Sequence, residues 1–167
     1  GGAGFFDTSA DHETLIIRPR TLQDNATPSG NAMAACVLLK LGAYTGERKF
    51  TASAENVIRT VQNLAGRNPT GFGQWLQALS FAVSAIKEVA IIGAHEAADT
   101  RALLATAQRP YRPHQVVACG ETTDHNAVIP LLATRAKKGA KATAYVCRGF
   151  ECRLPVTNPS ELSQQLD

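Results

Sequence analysis

Several specialised classes are excluded by what this chain has little of. Aromatic residues make up only 6% of its 167 positions, and its formal charge is a mild +3. The basic residues are scattered, with Lys137, Lys138 and Lys141 the densest group. A nucleic-acid surface normally needs a basic stripe with interleaved aromatics, so no nucleic-acid partner is expected. No apolar run approaches the ~18 residues of a membrane span, so no membrane partner is expected either. Four cysteines are too few for a disulfide scaffold. A reduced, cytoplasmic setting follows as an expectation. The single methionine is Met33, and residue 1 is a glycine. The chain therefore reads as one trimmed or cut from something larger, and a missing signal peptide carries no weight. No internal repeat stands out, and no Gly/Ser-rich linker interrupts the chain.

What is present divides near Lys87. Residues 1–86 read as helical and 87–167 as a smaller α/β segment. Glu13 to Arg18 (ETLIIR) is a short strand candidate. The stretch DNATPSGNAMAA, Asp24 to Ala35, then opens a helix over about Ser29–Tyr44, with Thr27 as its cap and Pro28 in its first turn. A second helix is predicted over Arg48–Ala65. There Phe50, Ala54, Val57, Ile58, Val61 and Leu64 fall on one face, and Asn68-Pro69 ends the run. A third, over Gly71–Ser84, carries Phe72, Trp75, Leu76, Leu79 and Val83. Short connections imply antiparallel neighbours.

The second half alternates. Strands are predicted over Glu88–Ile92, His114–Cys119, Ala142–Arg148 and Glu151–Val156, with helices over Ala97–Gln108 and Asp124–Lys138. A final helix starts at Pro159 behind Asn158, with Glu161 completing a capping-box pattern. The order βαβαββα implies a partly parallel sheet. Gly93 closes the first strand, but neither GxGxxG nor a phosphate-loop lysine follows, so no cofactor is expected.

Two places carry candidate chemistry. In AYVCRGFECRLPV a two-residue turn at Gly149-Phe150 would set Arg148 opposite Glu151 and Cys147 opposite Cys152. Cys147 and Cys152 would then form a non-hydrogen-bonded pair close enough for a disulfide, or stay a reduced packed pair. Two cysteines alone make a poor zinc site, and no metal is expected. Asn25-Ala26-Thr27 matches a glycosylation sequon, taken here as coincidence.

The other place is polar. Asp7, Asp11, His12, Glu13, Arg18, Arg20, Asp24, Asn25, Ser29 and Asn31 crowd the first 31 positions. Such a mixture serves either a binding site or a network that ties a loop to helix ends.

The quoted stretches GGAGFFDTSADHE, IIRPR, DNATPSGNAMAA, KEVAIIG and AYVCRGFECRLPVTNPSEL occur here in order. Together they resemble the C-terminal part of the thioredoxin-domain protein family typified by spermatogenesis-associated protein 20. The resemblance covers nearly the whole chain. It implies the last helices of an (α/α)6-type toroid followed by the α/β segment, with a thioredoxin-like domain elsewhere in the parent. The family's usual PSGNS reads PSGNA here, so Ala32 removes a hydroxyl, and RPR stands where RPK is frequent.

Related toroids hold sugars, so the resemblance implies a carbohydrate-related, epimerase- or glycosidase-like cleft. Asp7, His12, Glu13 and Asp24 are then the candidate acid/base groups. Arg18, Arg20, Asn25, Ser29 and Asn31 are the candidate sugar-binding groups. The alternative is a non-catalytic scaffold that binds the remainder of its parent, including the thioredoxin-like domain. A redox role for Cys147 and Cys152 is a third reading. Helix faces meant for missing hairpins should make the isolated chain self-associate.

Overall fold

The structure is a computed structural model that describes residues 3–11, 13, 16–121, 129–149 and 151–167. It forms two compact units. The first holds residues 1–42 and 47–84, and the second holds 43–46 and 85–167.

The first unit is helical. Its helices are α1 (Gly30–Thr45), α2 (Arg48–Arg67) and α3 (Gly73–Val83), with a single 3-10 turn, Pro69–Gly71, between the last two. Alanine lets these helices approach closely. Ala32, Ala35, Ala54 and Ala78 are fully buried, among Leu39, Val57, Val61 and Trp75. The α2 stripe matches its sequence pattern at Ala54, Val57, Ile58 and Val61, while Leu64 turns out to solvent and Ala65 takes its place. In α3 the expected face is displaced. Phe72, Trp75, Ala78 and Phe81 are buried, and Leu76 and Val83 are exposed. The buried positions repeat every three residues, a narrower seam than the apolar pattern suggests.

The strand expected over Glu13–Arg18 does not form among the described residues of that stretch. The described residues before α1 run instead as irregular chain held by side chains. The α1 cap also moves two residues. Ser29, not Thr27, has the carbonyl that accepts the first helical bond, from Met33 N. Its Oγ accepts from Ala32 N at 3.3 Å.

The second unit is built on a mixed four-stranded sheet in the order β2-β1-β3-β4. The strands are β1 (Lys87–Ile92), β2 (Gln115–Gly120), β3 (Thr143–Arg148) and β4 (Glu151–Cys152). β1 pairs parallel with β2 and antiparallel with β3. Helices α4 (Ala98–Gln108) and α5 (Pro159–Leu166) cover one face. There Val89, Ile91, Leu103, Ala107, Ala144, Val146, Leu162 and Leu166 make a continuous apolar core. Five of the six β1 residues are buried, as expected of a strand with neighbours on both edges and cover on both faces.

Gly93 has a packing role. A Cβ there would lie 2.3 Å from Thr100 Oγ1 and 2.9 Å from the Ala142 Cβ. The helix predicted over Asp124–Lys138 is a correction to the βαβαββα order. Residues 122–128 lie outside the described ones, and the rest forms a single 3-10 turn, Pro130–Leu132. Pro130 starts that turn, and Thr134, with φ +63°, sits where a helix would continue. The strand predicted over Glu151–Val156 also shortens to Glu151–Cys152, with an isolated bridge from Val156 to Ala144.

Candidate functional site

The polar residues before α1 form two clusters. The first lies at the start of α1. Phe72, which precedes α3, has no side-chain acceptor to cap that helix. Asp24 supplies one from the other side of the sequence. Its Oδ1 accepts from Ser29 N and its Oδ2 from Gln74 N, both at 2.8 Å. Its own N–H donates to the Gly71 carbonyl at 2.9 Å. One carboxylate therefore meets the N-terminal ends of both α1 and α3, where helix dipoles favour negative charge.

Asn31, only 1% exposed, does the equivalent for the chain start. Its Oδ1 accepts from Phe5 N at 2.6 Å. Its Nδ2 donates to the carbonyls of Phe5 and Thr21 at 2.9 and 3.1 Å. Ser29 Oγ donates to the Leu22 carbonyl, which also accepts from Trp75 Nε1 at 2.6 Å. Asn25 stays exposed, and its Oδ1 accepts from Ala26 N in a local turn.

The second cluster lies on the surface. Asp7 Oδ2 accepts from both the backbone N–H and the hydroxyl of Thr21. Arg18 donates to the Thr8 carbonyl at 2.9 Å. The guanidinium carbons of Arg18 and Arg20 lie 4.1 and 4.0 Å from the Phe6 ring centroid. Cationic stacking on an aromatic face accounts for that arrangement. Glu13 is exposed, and His12 lies outside the described residues. A cleft of about 430 Å³ in this unit is lined by Leu22, Gln23, Leu64, Asn68, Thr70, Gly71 and Phe72. None of the sequence-predicted site residues is among them.

The structure thus brings together Asp24, Ser29 and Asn31, and separately Asp7, Arg18 and Arg20. Partners that sequence reading missed are Thr21, Gln74 and Trp75. Gln74 lies 50 positions from Asp24, beyond any local pattern.

In the second unit Cys147 and Cys152 are joined as a disulfide, with Cα atoms 3.9 Å apart. They are directly opposed, as Arg148 and Glu151 are. The φ of +57° at Gly149 is the left-handed conformation that a tight hairpin turn asks of its first residue. Arg135, which the sequence did not single out, reaches both sulfurs. Its Nη2 lies 3.4 Å from Cys147 Sγ and 3.1 Å from Cys152 Sγ. Burial lowers the Arg135 pKa from its ordinary value, while the charges of Glu88 and Tyr145 oppose that shift. The other two cysteines, Cys36 and Cys119, are free. Burial raises the Cys119 thiol pKa, with Glu121 adding to it. Among the described residues no group of three or more His, Cys, Asp or Glu is placed to hold a metal ion. Among them, too, no helix is long and apolar enough to cross a membrane.

No protein-family model matches the chain, and no solved structure does. Curated relatives do match, along 99% of its length. Spermatogenesis-associated protein 20 is 30% identical in human, 28% in rat and 27% in mouse. The chain spans only 22%, 21% and 21% of those relatives. It is thus a homologue of spermatogenesis-associated protein 20 over nearly its whole length, corresponding to about a fifth of those proteins.

Proposed function

We propose that this chain is a non-catalytic scaffold whose helical unit packs against the rest of a longer protein of the spermatogenesis-associated protein 20 type. The observation that carries this reading is the use made of the polar residues. Both oxygens of Asp24 and every polar atom of the Asn31 side chain are engaged by backbone groups. A carboxylate committed to two helix ends supports a capping role rather than a sugar-facing one. The six-hairpin toroid belongs to the same proposal, with α1 to α3 as helices that other helices complete.

The surface of α1 supports an occupant of that kind. Met33, Val37 and Leu41 stand at i, i+4 and i+8, and are 45%, 50% and 37% exposed. They form an apolar stripe along one helix face, suited to another helix. The matched relatives are four to five times longer than this chain. The occupant proposed is accordingly a helix from the remainder of such a protein, with apolar residues at the same spacing.

Sedimentation at rising concentration tests the stripe. The isolated chain should associate, and Val37→Glu should give monomers with an unchanged circular dichroism spectrum. An NMR titration with a panel of mono- and oligosaccharides tests the competing carbohydrate reading. The scaffold reading predicts no shifts at Asp7, Asp24 or Asn31. Saturable shifts there would favour a sugar site instead.

A further inference from the structure

We propose that the Cys147–Cys152 disulfide is a thiol–disulfide exchange site that takes a dithiol as reductant, with Arg135 holding the released Cys147 thiolate. The inference is independent of the scaffold reading.

Three observations carry it. First, the bond adds little as a structural staple. It links residues only five apart in sequence, in a hairpin already closed by the ladder that pairs Arg148 with Glu151. Disulfides stabilise most when they close long loops.

Second, a buried cation is aimed at the sulfurs. Arg135 is only 8% exposed, and one of its nitrogens is within hydrogen-bonding reach of both sulfur atoms. Its Nη1 donates to the Leu131 carbonyl, and Glu88 supplies an opposing charge. Neutral disulfide sulfurs are weak acceptors and return little to a desolvated guanidinium. A thiolate in the same place would be a full counter-charge. The surroundings therefore suit the reduced pair better than the oxidised one.

Third, access is asymmetric. Cys152 is exposed, whereas Cys147 is 1% exposed.

The exchange follows from this geometry. A thiolate of the dithiol attacks Cys152 Sγ and forms a mixed disulfide. The Cys147–Cys152 bond breaks, and its electron pair leaves on Cys147 Sγ beside Arg135. The second thiol of the reductant loses its proton and attacks the mixed disulfide at its own first sulfur, releasing Cys152 as a thiolate that takes up a proton. Two electrons pass to the protein, and the reductant leaves as a disulfide.

The test uses the full chain, dithiothreitol at neutral pH, quenching with iodoacetamide and peptide mapping. The expected result is alkylation of both Cys147 and Cys152 with the circular dichroism spectrum unchanged, and re-closure with oxidised dithiothreitol. Arg135→Gln should slow reduction at least tenfold. A pair that opens only in denaturant would overturn the proposal, as would an Arg135→Gln protein that folds and is reduced at the parent rate. Should Arg135→Gln fail to fold, the Cys152→Ser protein decides. Its Cys147 should alkylate with an apparent pKa below the ~8.5 of an ordinary thiol. A value at or above that figure would overturn the proposal.

Discussion

The two units solve the same problem by opposite means. The sheet unit stacks α4 and α5 on β1 and β3, and its centre is a continuous set of Val, Ile, Leu and Ala side chains. The helical unit buries alanines and a few large residues, and its irregular start is tied down by Asp24, Ser29 and Asn31. Apolar burial is spread over many contacts. Polar clamps concentrate stability in a few atoms, each costly to leave unpaired. Polar density in a sequence can therefore mark a joint as readily as a catalytic centre.

Substitutions can break this contrast, and the largest effect belongs to the sheet unit. Ile91 is fully buried in its core. Ile91→Ala should cost about 2–5 kcal/mol in urea unfolding followed by circular dichroism. A loss below about 1 kcal/mol would mean that the core is not close-packed there.

Next comes the Asn31 clamp. Asn31→Ala leaves Phe5 N and the carbonyls of Phe5 and Thr21 without that partner. The cost should be about 1–3 kcal/mol. Trp75, the only tryptophan, reports it by fluorescence, since its Nε1 binds the Leu22 carbonyl in the same network.

A smaller effect concerns pH. Asp99 has its pKa lowered chiefly by the hydrogen bond from Ala142 N; burial opposes that shift, and the Thr100 N–H adds to it. A carboxylate with a depressed folded-state pKa contributes stability that is present above the ordinary aspartate value of ~3.9. That contribution is lost as pH falls through the folded value. Asp99→Asn should flatten the acid limb of a stability–pH curve below about pH 4 and leave its shape near neutrality unchanged. An acid limb identical to the parent's would contradict this.

Legibility in the sequence followed locality. The α2 stripe, the Cys147–Cys152 register and the Asn158 cap, whose Oδ1 accepts from Glu161 N at 2.9 Å, each arise within a few residues. Patterns of that range can be read from spacing alone. The α3 face could not be, because Leu76 and Val83 are as apolar as the Ala78 and Phe81 that packing selects. Nor could the shortened segment after Pro130, where alanines and leucines mimic a helix. The double cap by Asp24 depends on Gln74, and the Arg135–sulfur contacts span 12 and 17 positions. Only the tertiary fold brings such groups together.

The most direct measurement is urea unfolding of Asp24→Ala, followed by Trp75 fluorescence. If the carboxylate is a clamp on two helix ends, stability should fall by about 1–3 kcal/mol. A residue kept for chemistry is often neutral or stabilising to remove. Unchanged or increased stability would therefore contradict the scaffold reading and return Asp24 to the candidate acid/base groups.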